Sequence, residues 1–168
     1  MITNGSGGCG KDTLAEIMSK YVDVVKYSSI DFFKELGTLG RMLPQKNEAE
    51  RMLLYKLKKA FVEYNELPTI LCGEQIELFL QNNKDGLFIV DVREPEEIQK
   101  LKELYPQIIV VLIINNNVPI ITYNSSDANV FDCVYDYVID NSYTLGTLEE
   151  SAVTLLKELE FDIEREGK

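Results

Sequence analysis

A glycine-rich stretch near the start of the chain, NGSGGCGKDT from Asn4 onward, restricts the fold more than any other part of the sequence. Gly5, Gly10 and Lys11 have the spacing G-x-x-x-x-G-K of a phosphate-binding P-loop. Such a loop works between a strand and the N-terminus of a helix. The three residues before Asn4 are suited to a short strand, and apolar residues at helical spacing follow the loop. The stretch therefore predicts a strand–loop–helix unit of an α/β protein.

The residues of this loop also suit anion binding. Gly5, Gly8 and Gly10 tolerate positive φ angles, which turn successive backbone N–H groups toward one anion. The helix N-terminus adds a partial positive charge, and Lys11 can contact the β- and γ-phosphates of a nucleotide. The alternative is a glycine-rich turn that binds nothing, but the position between a strand and a helix favours the phosphate site. Cys9 is either a small filler residue or, at a helix terminus, an oxidation-sensitive thiol.

Two carboxylates are candidate magnesium ligands. Asp12, followed by Thr13, stands where the motif usually has a Ser or Thr that holds Mg²⁺, and a carboxylate is a strong ligand for this oxygen-preferring ion. The alternative is an Asp that only interacts with the helix dipole. Asp91 follows four apolar residues, as a Walker B carboxylate does at the carboxyl end of a strand, where open α/β sheets bind ligands. The alternative for Asp91 is a cap of the next helix.

Further candidates belong to the binding of an acceptor substrate. Asp31 and Lys34 follow the second predicted strand, where Asp31 can accept a hydrogen bond from the attacking group and Lys34 can hold an acceptor phosphate. The alternative for both is an exposed position on a helix. Arg93 can bind a phosphate in bidentate fashion, or it can form a surface ion pair with a neighbouring Glu. Arg41, one of four Arg in the chain, is a further candidate for the acceptor phosphate.

Hydrophobic periodicity predicts strands that alternate with helices. Strands are expected over 1–3 (or through Asn4), 23–29, 87–91, 107–114 and 135–141, and helices over 12–22, 30–40, 47–67, 95–105 and 148–161. Thr69 is expected to cap a further helix after Pro68. The longest helix has an apolar stripe, with its lysines elsewhere; the stripe consists of Ala49, Leu53, Leu57, Ala60, Phe61 and Tyr64. This alternation predicts an α/β fold with a parallel sheet covered on both faces, in one domain.

Composition limits the partners. The net charge of −11 argues against nucleic acid polymers and anionic membranes. The longest apolar run, 108–114, is too short to span a bilayer, and no signal-peptide pattern begins the chain. The three Cys form no CxxC pair and His is absent, so a zinc site and a His general base are not expected. We expect a cytoplasmic protein whose partner is a small molecule.

Several stretches together resemble a known family. GSGGCGKDT, SSIDFFKE, LLYKLKKAFVEYNELP, VDVREPEEIQKLKE and SDANVFDCVYDYVIDNSYTLGTLEE occur in the order found in small bacterial and phage P-loop proteins. That family is similar to deoxynucleoside monophosphate kinases and, more distantly, to dephospho-coenzyme A kinases and adenylate-kinase-like enzymes. The resemblance spans nearly the whole chain. It implies a P-loop NTPase fold of three α/β/α layers with a five-stranded parallel sheet in a single domain, 1–168. Acceptor-region helices would occupy about 29–83 and a lid-like loop about 115–129.

The resemblance also implies an activity and its residues. It implies phosphoryl transfer, dependent on ATP and Mg²⁺, to a small phosphorylated acceptor such as a (deoxy)nucleoside monophosphate. The loop would hold ATP and metal through Gly5, Gly8, Cys9, Gly10, Lys11, Asp12 and Thr13, with Asn141 near the adenine. Asp31, Lys34, Asp91 and Arg93 would serve catalysis and the acceptor.

Two alternatives to this activity stay open. One is a kinase of another metabolite, such as dephospho-coenzyme A. The other is a nucleotide-binding regulatory module with little turnover, because the lid-like stretch has no Arg or Lys to neutralise the transferring phosphoryl group. An oligomer in which a partner subunit supplies the missing cation would also be compatible with the sequence.

Overall fold

The computed structural model describes residues 1–39, 48–82, 85–119 and 129–163. The elements in chain order are β1 (Ile2–Asn4), α1 (Lys11–Met18), β2 (Val24–Ser28), α2 (Asp31–Leu39), α3 (Glu48–Asn65), α4 (Leu67–Asn82), β3 (Leu87–Asp91), α5 (Pro95–Leu104), β4 (Val110–Ile114), a 3₁₀ turn (Asn129–Asp132), β5 (Tyr137–Asp140) and α6 (Leu145–Glu158).

Within the described residues, five strands form one parallel sheet in the order β2-β3-β1-β4-β5. The short strand β1 lies at its centre, where Ile2 is aligned with Val90 on one side and with Val110 on the other. All three residues of β1 are buried, because neighbouring strands flank it and helices cover both faces. The predicted five-stranded parallel sheet is therefore confirmed.

Each face of the sheet packs against helices. Ile89 of β3 and Val111 of β4 belong to a core cluster with α1 and α6. Their sequence neighbours Val90 and Val110 belong to a second cluster, with α4 and α5. This alternation follows from the period of two along a strand. It produces three layers, with helices on both sides of the sheet. Among the described helices, none has both the length and the apolar character needed to cross a membrane.

Three expectations about helices are wrong, wholly or in part. In α3 only part of the predicted stripe is packed: the Phe61 ring lies 5.5 Å from that of the buried Phe33, whereas Tyr64 is 84% exposed. Lys58, which the stripe excludes, is 5% exposed, because it faces carboxylates described below. Thr69 is not a cap, since α4 begins at Leu67 after the left-handed Glu66 (φ 58°). Helix α6 begins three residues before the expected Leu148, since the hydroxyl of Thr144 caps it by accepting from the Thr147 N–H.

The topology opens a crevice at the carboxyl ends of β1 and β3. These two strands are neighbours, yet α1 after β1 packs on one face of the sheet and α5 after β3 packs on the other. The two following loops therefore separate, and ligands of α/β sheets bind at such points. Both the glycine loop and the Asp91–Arg93 segment reach this crevice.

Candidate functional site

The glycine loop joins β1 to α1, as the sequence predicts. Gly5, Gly8 and Gly10 all have positive φ angles, of 149°, 85° and 107°. At Gly10 the requirement for glycine is steric as well, because a Cβ there would lie 2.2 Å from Nδ2 of Asn141. Helix α1 begins at Lys11, directly after the loop, so the loop lies at the positive end of the helix dipole. This arrangement is suited to an anion.

Lys11 places its charge at the loop. Its Nζ donates to the carbonyl oxygens of Gly5 at 2.6 Å and Ser6 at 3.2 Å, and the residue is 8% exposed. The adjacent Cys9 is buried and lies beneath the loop, where a Cβ on Gly5 would be 2.5 Å from its Sγ. Cys9 therefore has the packing position of a filler residue.

Two asparagines hold this loop in place. Asn4, fully buried, accepts from the Gly5 N–H through Oδ1 at 2.7 Å and donates through Nδ2 to the Tyr135 hydroxyl at 2.7 Å. Asn141 donates through Nδ2 to the Cys9 carbonyl at 2.9 Å. Asn141 thus lies beside the loop, at the end of β5, and its position next to an adenine stays a prediction.

The two predicted metal ligands lie on either side of one lysine. Nζ of Lys26, in β2, forms ion pairs with Oδ1 of Asp12 and with Oδ2 of Asp91, the latter at 2.8 Å. The Thr3 hydroxyl donates to the other oxygen of Asp91. Because one ammonium contacts both carboxylates, Asp12 and Asp91 are close enough for a single cation to bind both. The described residues contain no group of three or more His, Cys, Asp or Glu side chains that could hold a metal ion. Asp12 and Asp91 could supply two oxygen ligands to a magnesium ion whose other ligands are phosphate oxygens and water, and this role stays a prediction.

The electrostatics of Lys26 reflect these neighbours. Burial by itself would lower the pKa of Lys26, but the hydrogen bonds and charges of Asp12 and Asp91 outweigh it and raise that pKa above its ordinary value. Asp12 is 82% exposed, whereas Asp91 is 13% exposed. The pair therefore has one carboxylate open to solvent and one at the base of the crevice.

The predicted acceptor residues follow β2 and β3. Asp31 and Lys34 form an ion pair at 2.6 Å, and Asp31 also accepts from the Ser28 N–H at 2.8 Å. The backbone carbonyl of Arg93 accepts from Asn4 at 3.4 Å, so Arg93 lies next to β1 in the crevice. Arg41 is outside the described residues, as is most of the lid-like stretch (120–128). The roles of these residues stay predictions.

A second lysine lies at the same sheet edge, on the α5 side. Nζ of Lys58 forms ion pairs with Glu94 and, at 2.9 Å, with Glu97, and donates to the Ser29 hydroxyl at 2.8 Å. Glu97 is 3% exposed. Neither of its oxygens accepts a well-aligned hydrogen bond from the described part of the chain. One ammonium is thus shared between two carboxylates.

The pKa shifts at this cluster have clear causes. Burial raises the pKa of Glu97 to about 7, and the charge of Lys58 only partly opposes it. At Lys58, burial lowers the pKa, but the charges of Glu94 and Glu97 outweigh it and raise the pKa overall. The Glu97 carboxyl therefore exchanges its proton near neutral pH, beside the Lys58 ammonium that also contacts the Ser29 hydroxyl.

Sequence reasoning missed both lysines. For Lys26 a signal exists: in the strand VVKYS it shares a face with Val24, which packs against the cluster that contains α1, so a charged residue lies on a face that is partly covered. For Lys58 the surrounding lysines hide the signal, because three of four residues in KLKK are lysines and only packing distinguishes them.

Comparisons with known proteins add little to this description. No family model matches the chain, and no curated protein matches it. One solved structure that is similar to it is an unliganded sugar kinase from Janibacter sp. HTCC2649, with 14% sequence identity over 93% of this chain and 92% of that chain, and a TM-score of 0.48. Similarity at this level does not decide a shared fold or activity.

Proposed function

We propose that this protein is a kinase that uses ATP and Mg²⁺ to phosphorylate a small phosphorylated acceptor, a (deoxy)nucleoside monophosphate. The glycine loop is the observation on which the proposal rests. Gly5, Gly8 and Gly10 have positive φ angles between β1 and α1, and the Lys11 ammonium lies at the loop carbonyls. A strand, a glycine-rich loop, a lysine and a helix N-terminus in this order suit the phosphates of a nucleotide.

In the proposed reaction the protein acts by positioning and charge. Lys11 would neutralise the β- and γ-phosphates, and the first turn of α1 would orient them. Asp12 and Asp91 would hold Mg²⁺, which when bound neutralises developing charge on the phosphates. Thr3 orients Asp91 through its hydrogen bond. No strong base is required, because a phosphate acceptor is already a nucleophile, so the absence of His is compatible with this chemistry.

The acceptor would bind on the β2–β3 side of the crevice. Asp31, Lys34 and Arg93 follow these two strands, and their charges suit the hydroxyl and phosphate groups of a nucleotide. In the ligand-free protein Asp31 and Lys34 pair with each other, so an acceptor phosphate would compete with Asp31 for Lys34. A metabolite phosphate such as dephospho-coenzyme A is the alternative acceptor of the same kinase.

A coupled ADP-release assay tests the proposal. ATP and Mg²⁺ are supplied with each common nucleoside and deoxynucleoside monophosphate and with dephospho-coenzyme A, and the rates of the native protein, Lys11→Met and Lys20→Met are compared. Lys20 is a matched control, since it pairs with Glu149 at 3.2 Å on the surface. We expect acceptor-dependent turnover that Lys11→Met lowers about 100-fold or more and Lys20→Met leaves unchanged. If no acceptor raises the native rate above that of Lys11→Met, the kinase proposal is wrong.

One observation favours a second function, a nucleotide-binding module with little turnover. The stretch 115–129 contains neither Arg nor Lys, and a cation that stabilises the transferring phosphoryl group contributes roughly a thousandfold or more in rate. Calorimetric binding of ATP without turnover on any acceptor would support the module. Rapid turnover on one acceptor would exclude it.

A further inference from the structure

Lys26 is held at its place by the sheet. Residues of β2 and β3 are aligned in parallel, with Lys26 next to Ile89 and Ser28 next to Asp91. From the edge strand β2, its side chain contacts both Asp12 in α1 and Asp91 at the end of β3. Its side chain is 24% exposed, so the ammonium is partly withdrawn from water. Lys26 therefore lies between the two carboxylates that the proposed function assigns to Mg²⁺.

We propose that Lys26 is an internal counter-ion of the metal site, which a divalent cation must displace before Asp12 and Asp91 can bind it together. The proposal rests on the proposed function for the identity of the metal ligands. An ammonium and a divalent cation repel each other, and both require the same oxygens. They consequently exclude each other from the position between the two carboxylates.

Two properties follow from this competition. Without nucleotide, the protein binds divalent cations weakly, because each cation must break two ion pairs of Lys26. With nucleotide, the phosphates add oxygen ligands to the cation and acceptors for the displaced ammonium. Lys26 thus favours entry of the metal together with the nucleotide rather than before it, and it acts as a positioning residue.

Binding of Mn²⁺ alone, measured by the EPR signal of the free ion without nucleotide, tests this role. The samples are the native protein, Lys26→Met and Lys20→Met, which removes the same charge from a surface pair. We expect Lys26→Met to bind Mn²⁺ at least about tenfold more tightly, since a nearby positive charge is removed, and Lys20→Met to bind within about twofold of the native protein, because exposed distant charges are screened. Adding Asp12→Asn to Lys26→Met should abolish the gain.

Each other outcome would overturn the inference: an unchanged affinity in Lys26→Met, an equal gain in Lys20→Met, or a gain that survives Asp12→Asn. Thermal unfolding gives a second readout, because Mn²⁺ should raise the melting temperature of Lys26→Met more than that of the native protein. If Lys26→Met does not fold, Lys26→Gln keeps a polar stem without the charge and is judged in the same way.

The same samples separate this inference from the proposed function. ATP binding is measured in EDTA on the native protein and on Lys11→Met. If the native protein binds ATP and Lys11→Met does not, but Lys26→Met shows no gain in Mn²⁺ affinity, the counter-ion role alone is refuted. Absence of native ATP binding with and without metal refutes the proposed function, whatever the Mn²⁺ titration gives.

Discussion

Replacing Lys58 by Met should destabilise the fold strongly, although the residue lies in a helix whose sequence resembles a solvent-exposed one. Lys58 is 5% exposed and contacts Glu94, Glu97 and Ser29. Methionine fills a similar volume but leaves the buried Glu97 without its positive partner. Removal of one member of a buried ion pair costs about 3–5 kcal/mol. For a protein of this length, that corresponds to a fall in melting temperature of roughly 6–20 °C.

The measurement is urea unfolding at pH 7.5, with free energies from linear extrapolation. Lys59→Met is the matched control, because the side chain of the adjacent Lys59 is 58% exposed and its ion pair with the exposed Glu63 is long, at 3.9 Å. We expect the control to lie within about 0.5 kcal/mol of the native protein. The double variant Lys58→Met with Glu97→Gln should recover at least about 1 kcal/mol, because the unpaired carboxylate is gone.

Two results would refute this reasoning. One is a Lys58→Met protein within about 1 kcal/mol of the native protein and indistinguishable from Lys59→Met, which would mean that Lys58 reaches solvent. The other is a double variant as unstable as the single one, which would mean that packing of the lysine stem, rather than the charge of Glu97, determines the cost.

Two further predictions concern the same sheet edge. Gly10→Ala should destabilise the protein more than Gly8→Ala in urea unfolding, although both substitutions impose left-handed strain of about 1–2 kcal/mol. Only Gly10→Ala displaces Asn141, because the new Cβ would lie 2.2 Å from its amide nitrogen, whereas at Gly8 the nearest atom is 3.5 Å away. Equal losses of stability in the two variants would contradict this geometry. The stability of the native protein relative to Glu97→Gln should fall as the pH rises from about 4.5 to about 7, because the raised pKa of Glu97 gives the folded state the extra proton in this range. At about 1.4 kcal/mol per pH unit the loss reaches about 3 kcal/mol, and a difference independent of pH would exclude the shift.

The sheet was predictable because its strands have simple local signatures. LFIVD, buried on both faces, was expected at 87–91 and forms β3 at those bounds. The glycine loop was predictable for a similar reason, since positive φ at Gly5, Gly8 and Gly10 requires little beyond the residue type.

What escaped prediction depends on contacts between residues distant in sequence. Lys26 is 65 residues before Asp91 in the chain, and only the pairing of β2 with β3 brings them together. The burial of Lys58 depends likewise on α5 and its N-cap, which place Glu97 and Glu94 opposite α3. Periodicity treats a lysine as a surface residue and cannot detect the carboxylates that bury it.

The start of α4 was missed for a local reason. The left-handed conformation of Glu66 (φ 58°) lets a new helix begin directly at Leu67. A non-glycine residue seldom adopts this conformation, so a sequence offers no reason to expect it there.

Isothermal titration of the native protein with ATP and Mg²⁺, beside Lys11→Met and Lys20→Met, tests the central claim most directly. In the proposed function, nucleotide phosphates bind at the glycine loop next to the Lys11 ammonium. We therefore expect one saturable site in the native protein and in Lys20→Met, and at least about tenfold weaker binding in Lys11→Met, since a charge-assisted contact is lost. Equal affinity in all three proteins, or no heat of binding in the native protein, would contradict it.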